Sequence, residues 1–209
     1  MTETGTGSDE TAPSGSPLYG SHVALIVVDV QNDFAHPEGS LFVTTAPRII
    51  DAVNEAARSA TSTDALVVRT QDWHPASTPH FHKDGGIWPV HCVRDTWGAS
   101  FDDRLEATGP VVRKGTGGED GYSGFTVRDP ESGAEEPTGL HEILREGGIT
   151  DVVICGLATD YCVKETALDA VRLGYRTTLL ADAIGAVDIR AGDGARAIAA
   201  MYAAGVAVV

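Results

Sequence analysis

Three side chains in this sequence have the chemistry for nucleophilic cleavage of a bond: Cys162, Asp29 and Lys114. Cys162 follows the β-branched run VVIC at 152–155 and the breaker Gly156, so it falls just past the carboxyl end of a buried strand. Thr159 and Asp160 are good N-caps for a helix whose apolar face is Val163, Ala167, Ala170 and Val171. Cys162 then sits in the first helical turn, where free N–H groups and the positive end of the dipole favour thiolate and can receive an oxyanion. Asp29 stands near the end of HVALIVVDV and Lys114 ends VVRK. In a parallel sheet these three ends share one edge. Asp29 could there take the thiol proton, and Lys114 could hold the pair. The plain alternative is three unrelated strand-end residues with Cys162 a small buried side chain, and residue types alone leave both open.

A second group lies between the second and third strands. The stretch 71–101 has no hydrophobic periodicity, yet it holds four of the seven histidines and all three tryptophans. Loops this long are functional or disordered, and the aromatic content argues against disorder. Asp72, His74, His80 and His91 offer one carboxylate and three imidazoles. That mix suits Zn²⁺, Mn²⁺ or Fe²⁺ and is wrong for Ca²⁺. The spacing is neither CxxC nor HExxH, so solvated loop histidines are the competing reading, and one that fits His22, His36, His82 and His141. Cys155 reads as core. Cys92, beside His91, reads as open to oxidation.

The elements that must position these groups alternate. Strand runs lie at 22–30, 65–70, Val111–Lys114, 152–155, 176–183 and 206–209. Helical spacing appears from Pro47 through Ala57, over Leu140–Glu146, after Cys162 and over 192–204. This pattern predicts an α/β, three-layer doubly wound fold with a central, mostly parallel sheet and right-handed crossovers. A chain of 209 residues suits one domain, 21–209, after a disordered acidic leader at 1–20. The segment 129–139 reads as a polar surface loop. GTGGEDGYSGF, after Lys114, does not match a phosphate loop. The net charge of −15 argues against nucleic acid and anionic membrane surfaces as partners. No apolar run is long enough for a membrane span, no secretory signal is recognisable, and three cysteines form no disulfide framework. A reduced, cytoplasmic setting follows.

Five blocks, in order, then carry a resemblance: ALIVVDVQNDF, TQDWHP with HF following, WPVHCV, RKG with YSGF following, and GLATDYCVKETALDA. From about Ala24 to Val209 the sequence resembles the cysteine hydrolases of the isochorismatase-like superfamily, and within it the nicotinamidases (pyrazinamidases). The resemblance implies Cys162 as nucleophile, Asp29 as general base and then acid, and Lys114 as the third catalytic residue. It implies Asp72, His74, His80 and His91 as ligands of one divalent transition metal (Zn, Fe or Mn) that takes the ring nitrogen of the substrate. Phe34, Trp88 and Tyr122 are implied as pocket walls. A cis Leu157–Ala158 peptide is implied to turn the Ala158 N–H, with that of Cys162, towards the oxyanion. The implied activity is hydrolysis of nicotinamide to nicotinate and ammonia in NAD salvage, through a thioester, by a chain that can form a homo-oligomer. The alternative within the superfamily is an amidohydrolase for another small amide or ureide. Such enzymes usually lack the full metal set. Isochorismatase itself cleaves a vinyl ether and does not need Cys162.

Overall fold

The computed structural model describes residues 18–209. The apolar runs become strands, the central ones covered on both faces and the outer ones on one. Strand β1 is Val23–Val28, β2 Leu66–Asp72, β3 Val111–Lys114, β6 Asp151–Leu157, β7 Arg176–Gly185 and β8 Ala207–Val208. They form one parallel sheet in the order β3-β2-β1-β6-β7-β8. The chain builds outward from β1 to β2 and β3, then returns to β6 on its other side. The carboxyl ends of β1 and β6 therefore flank the point where strand order reverses, the place where open α/β sheets form ligand crevices.

Alternation along β1 divides the core. Leu25 and Val27 face helix α2 (Ala46–Thr61) through Ile49, Ile50 and Val53. Ala24, Ile26 and Val28 face Leu140 and Leu144 of α3 (Leu140–Glu146), Ala167 and Ala170 of α4 (Lys164–Arg172), and Met201 of α5 (Asp193–Ala203). This is the expected three-layer arrangement. A one-turn helix, α1 (Asn32–Ala35), follows β1.

Two local expectations change, and a third lies mostly outside the described residues. Gly156 does not end β6. The strand continues to Leu157, with Gly156 at φ 109° beside Val28. The segment read as a surface loop, 129–139, contains strand β5 (Glu135–Pro137), which pairs antiparallel with β4 (Thr126–Arg128) just before it. The two strands are largely exposed, so no apolar pattern announces them. The acidic leader lies outside the described residues apart from its last three positions, of which Tyr19 is buried against the α2 side of the core. Among the described residues no helix is long and apolar enough to cross a membrane.

Candidate active site

The three strand-end groups meet. Asp29 follows β1 at φ 47°, a left-handed conformation that aspartate tolerates better than most residues. Lys114 closes β3, where it is the register partner of Asp72 at the end of β2. Asp29 and Lys114 are fully buried, and Cys162 is 7% exposed. The Lys114 ammonium lies 2.7 Å from Asp29 Oδ2. It donates to Asp72 Oδ1, to the Gly121 carbonyl and, at 3.6 Å, to Cys162 Sγ. The Thr70 hydroxyl donates to Asp29 Oδ1 at 2.6 Å. Asp29 Oδ1 is thus engaged by Thr70, while Oδ2 pairs with the Lys114 ammonium.

Electrostatics assign the resting protonation. Burial alone would depress the Lys114 ammonium, but Asp29, Asp72 and Cys162 outweigh it and hold it well above its usual range. Burial raises Asp29, with the charge of Asp72 adding to it against the pull of Lys114. Burial would also raise Asp72, yet Lys114 and the histidines hold it below the usual carboxylate range. Cys162 is pushed well above an ordinary thiol, first by burial and then by Asp29 and Asp72, with Lys114 opposing. Burial and the carboxylates thus oppose the helix-terminus effect at Cys162. Two carboxylates and desolvation work against one ammonium, so Cys162 would need a base to act as a nucleophile.

The second group also converges. His74, His80 and His91 are buried and bring ring nitrogens within 4.8 Å of one another. Asp72 Oδ2 lies 3.7 Å from His74 Nε2 and 3.9 Å from His91 Nε2. Asp72 thus faces Lys114 with one oxygen and the imidazoles with the other. His91 Nδ1 donates to the Pro89 carbonyl at 2.8 Å, and His80 Nδ1 donates to Asp120 Oδ1 at 2.6 Å. Both contacts leave Nε2 as the bare donor. Burial lowers the His91 pKa to about 4, so it is neutral at physiological pH. Neither ring nitrogen of His74 has a protein partner, although both are buried. An orphaned buried imidazole is costly, and a divalent metal is a partner that satisfies it. The donor set of three imidazoles and one carboxylate fits such an ion.

Between the two groups lies a cavity lined by Phe34, Trp88, Tyr122, Ala158 and Cys162 together with Asp72, His80 and His91. The Trp88 indole N–H donates to the Tyr122 hydroxyl at 2.8 Å. The Leu157–Ala158 peptide is cis, as the resemblance implied. Cys162 lies in a single π-helical turn, Thr159–Val163, that leads into α4. Thr159 and Asp160 do not cap it. The Asp160 carboxylate instead accepts the N–H groups of Val187 and Asp188 at 2.9 and 2.8 Å.

Several residues of the site escaped sequence reasoning. Tyr161, Leu41, Gly121 and Val187 complete the lining, with Tyr161 edge-on to Trp88 at 4.7 Å. Gln31 pins the histidine stretch: its amide donates to the Asp72 and Ala99 carbonyls and accepts from the Asp72 N–H, each at 2.8 Å. Asp33 accepts the Cys92 N–H at 2.7 Å. The polar run QND after β1 was the only signal for these two. Cys92 is fully buried with its thiol pKa raised by that burial, against the expectation of ready oxidation.

Residues 23–209 match the isochorismatase domain model, and the chain belongs to that family. Among its relatives, the nicotinamidase of Escherichia coli is 36% identical over 206 residues, covering 87% of this chain and 92% of the relative. The crystal structure of the pyrazinamidase of Pyrococcus horikoshii in complex with zinc superposes with a TM-score of 0.80 at 41% identity, covering 90% of this chain and 98% of that one. The structure of PnC1 from L. infantum in complex with nicotinate gives a TM-score of 0.81 at 35% identity, covering 91% and 93%.

Proposed function

We propose that this protein is a nicotinamidase, converting nicotinamide to nicotinate and ammonia within pyridine-nucleotide salvage. The observation that carries this reading is the cavity itself. A buried thiol with its own carboxylate and ammonium lies on one side, and a metal-competent imidazole cluster lies on the other. The E. coli nicotinamidase and the zinc-bound pyrazinamidase support the substrate class.

In this reading Asp29 Oδ2 takes the Cys162 proton as sulfur attacks the amide carbonyl. Asp29 is then neutral, and Lys114 offsets the negative charge of Asp72 and of the developing thiolate. The N–H groups of Ala158 and Cys162 receive the oxyanion. Asp29 returns the proton to the leaving nitrogen, which departs as ammonia and leaves a thioester. The same carboxylate activates the water that releases nicotinate and restores the thiol. Asp72, His74, His80 and His91 would hold a divalent transition metal, which when bound supplies a Lewis-acid anchor for the azine nitrogen. Phe34, Trp88 and Tyr122 hold the ring.

Residues 21–209 act as one domain in this account, and its partner is a small neutral amide, in keeping with a net charge of −15. A reducing cytoplasm suits an enzyme that depends on a free thiol. The test is ammonia release by zinc-loaded protein from nicotinamide, pyrazinamide and N-carbamoylsarcosine in parallel. Preference for the azine amides is expected. Turnover of the ureide alone overturns the assignment.

A further inference from the structure

The partner of His80 is supplied by a different loop from the one that carries the histidines. Asp120 Oδ1 lies 2.6 Å from His80 Nδ1, and the two side chains are 26% and 4% exposed. A carboxylate offers only acceptors, so the hydrogen between the two belongs to His80 Nδ1, and Nε2 is the nitrogen that a ligand can use. The contrast with His91 is instructive. Its Nδ1–H goes to Pro89, two residues away, so the local chain sets its tautomer. His80 has no such local arrangement. Without Asp120 its ring is free to hold hydrogen on Nε2, or to turn over.

The backbone holds Asp120 as firmly as the side chain holds His80. The Asp120 N–H donates to the Arg128 carbonyl at 2.8 Å, and the Arg128 N–H returns a bond to the Asp120 carbonyl at 2.9 Å. Arg128 ends β4, which β5 pairs in turn, and the Thr126 hydroxyl ties β4 to Asp169 of α4 at 2.9 Å. The next two residues reach the rest of the site: the Gly121 carbonyl accepts from Lys114, and the Tyr122 hydroxyl accepts from Trp88. Three consecutive residues thus touch the imidazole cluster, the catalytic ammonium and the pocket wall.

We infer that Asp120 is a positioning residue for a metal ion: held by the β4–β5 ribbon, it fixes the tautomer and orientation of His80 so that Nε2 faces His74 and His91. This rests on the reading of those histidines as metal ligands. It also gives a role to the ribbon, whose sequence suggested only a surface loop. Partners of this kind are worth about 10–100-fold in metal affinity.

The test is Zn²⁺ affinity of the full-length protein, by competition with a chromophoric chelator, for wild type, Asp120→Ala and Asp120→Asn. The absorption spectrum of each Co²⁺-loaded form and the melting temperature of each metal-free form are recorded alongside. The expected result is a loss of about 10–100-fold for Asp120→Ala and a smaller loss for Asp120→Asn, which keeps an acceptor oxygen. An altered Co²⁺ spectrum and unchanged metal-free melting temperatures are expected with it. Wild-type affinity in Asp120→Ala overturns the inference and leaves the metal reading standing. An affinity loss that only tracks lower metal-free melting in both variants overturns it as well, by making Asp120 merely structural. Failure of the wild type to bind Zn²⁺ overturns the metal reading, and this inference with it.

Discussion

At the scale of single residues the account turns on which group is the base. Cys162 is held as a thiol by burial and by the carboxylates beside it, while burial raises Asp29 above its ordinary value. The working form of Asp29 is the carboxylate. As pH falls through its raised pKa it becomes a neutral acid and can no longer accept the thiol proton. The acid limb of kcat/KM, measured with saturating zinc, is therefore expected above the ordinary aspartate value of about 3.9. A limb at or below that value would show that Asp29 is not raised in the working enzyme. Asp29, Lys114 and Cys162 were legible in the sequence because each ends an apolar run, and parallel strands bring such ends together. Thr70 and Asp120 were not. Both are ordinary polar residues whose meaning comes from a partner, Asp29 for one and His80 for the other, about forty positions away in the chain.

At the scale of elements, the elbow after β6 sets where the nucleophile stands. Gly156 has φ 109°, and a Cβ there would meet the Val28 carbonyl oxygen at 2.1 Å. Both the backbone conformation and the β1–β6 approach require glycine. Gly156→Ala is expected to cost about 2 kcal/mol or more, measured by urea denaturation of the metal-free protein. A change within about 0.5 kcal/mol, the usual range for an unconstrained surface site, would mean that β6 has room to shift. The central strands β1 and β6 were readable because burial on both faces leaves an unbroken apolar signature. The β4–β5 ribbon was not, since Glu135–Pro137 is exposed throughout. Nor was the π turn at Cys162. Its capping signal, Asp160, is diverted to the Val187 and Asp188 N–H groups of the segment after β7, a tertiary choice invisible to local spacing.

For the whole molecule, a metal held by Asp72, His74, His80 and His91 would join β2 and the long stretch that follows it to the site, so occupancy and stability would be linked. Zinc at about 100 times its dissociation constant adds about 2.7 kcal/mol. For a chain of this size that raises the melting temperature by about 5–10 °C over the chelated protein. No shift at millimolar zinc would mean that His74, His80 and His91 do not close on an ion. The central claim, that the Cys162 thiol hydrolyses nicotinamide, is tested most directly by nicotinate and ammonia release from nicotinamide by zinc-loaded wild-type and Cys162→Ala proteins side by side. The account predicts equal amounts of the two products from the wild type. It also predicts a rate at least about a thousandfold lower in the variant, as when a nucleophile is lost elsewhere. No release by the wild type, or comparable release by Cys162→Ala, would contradict it.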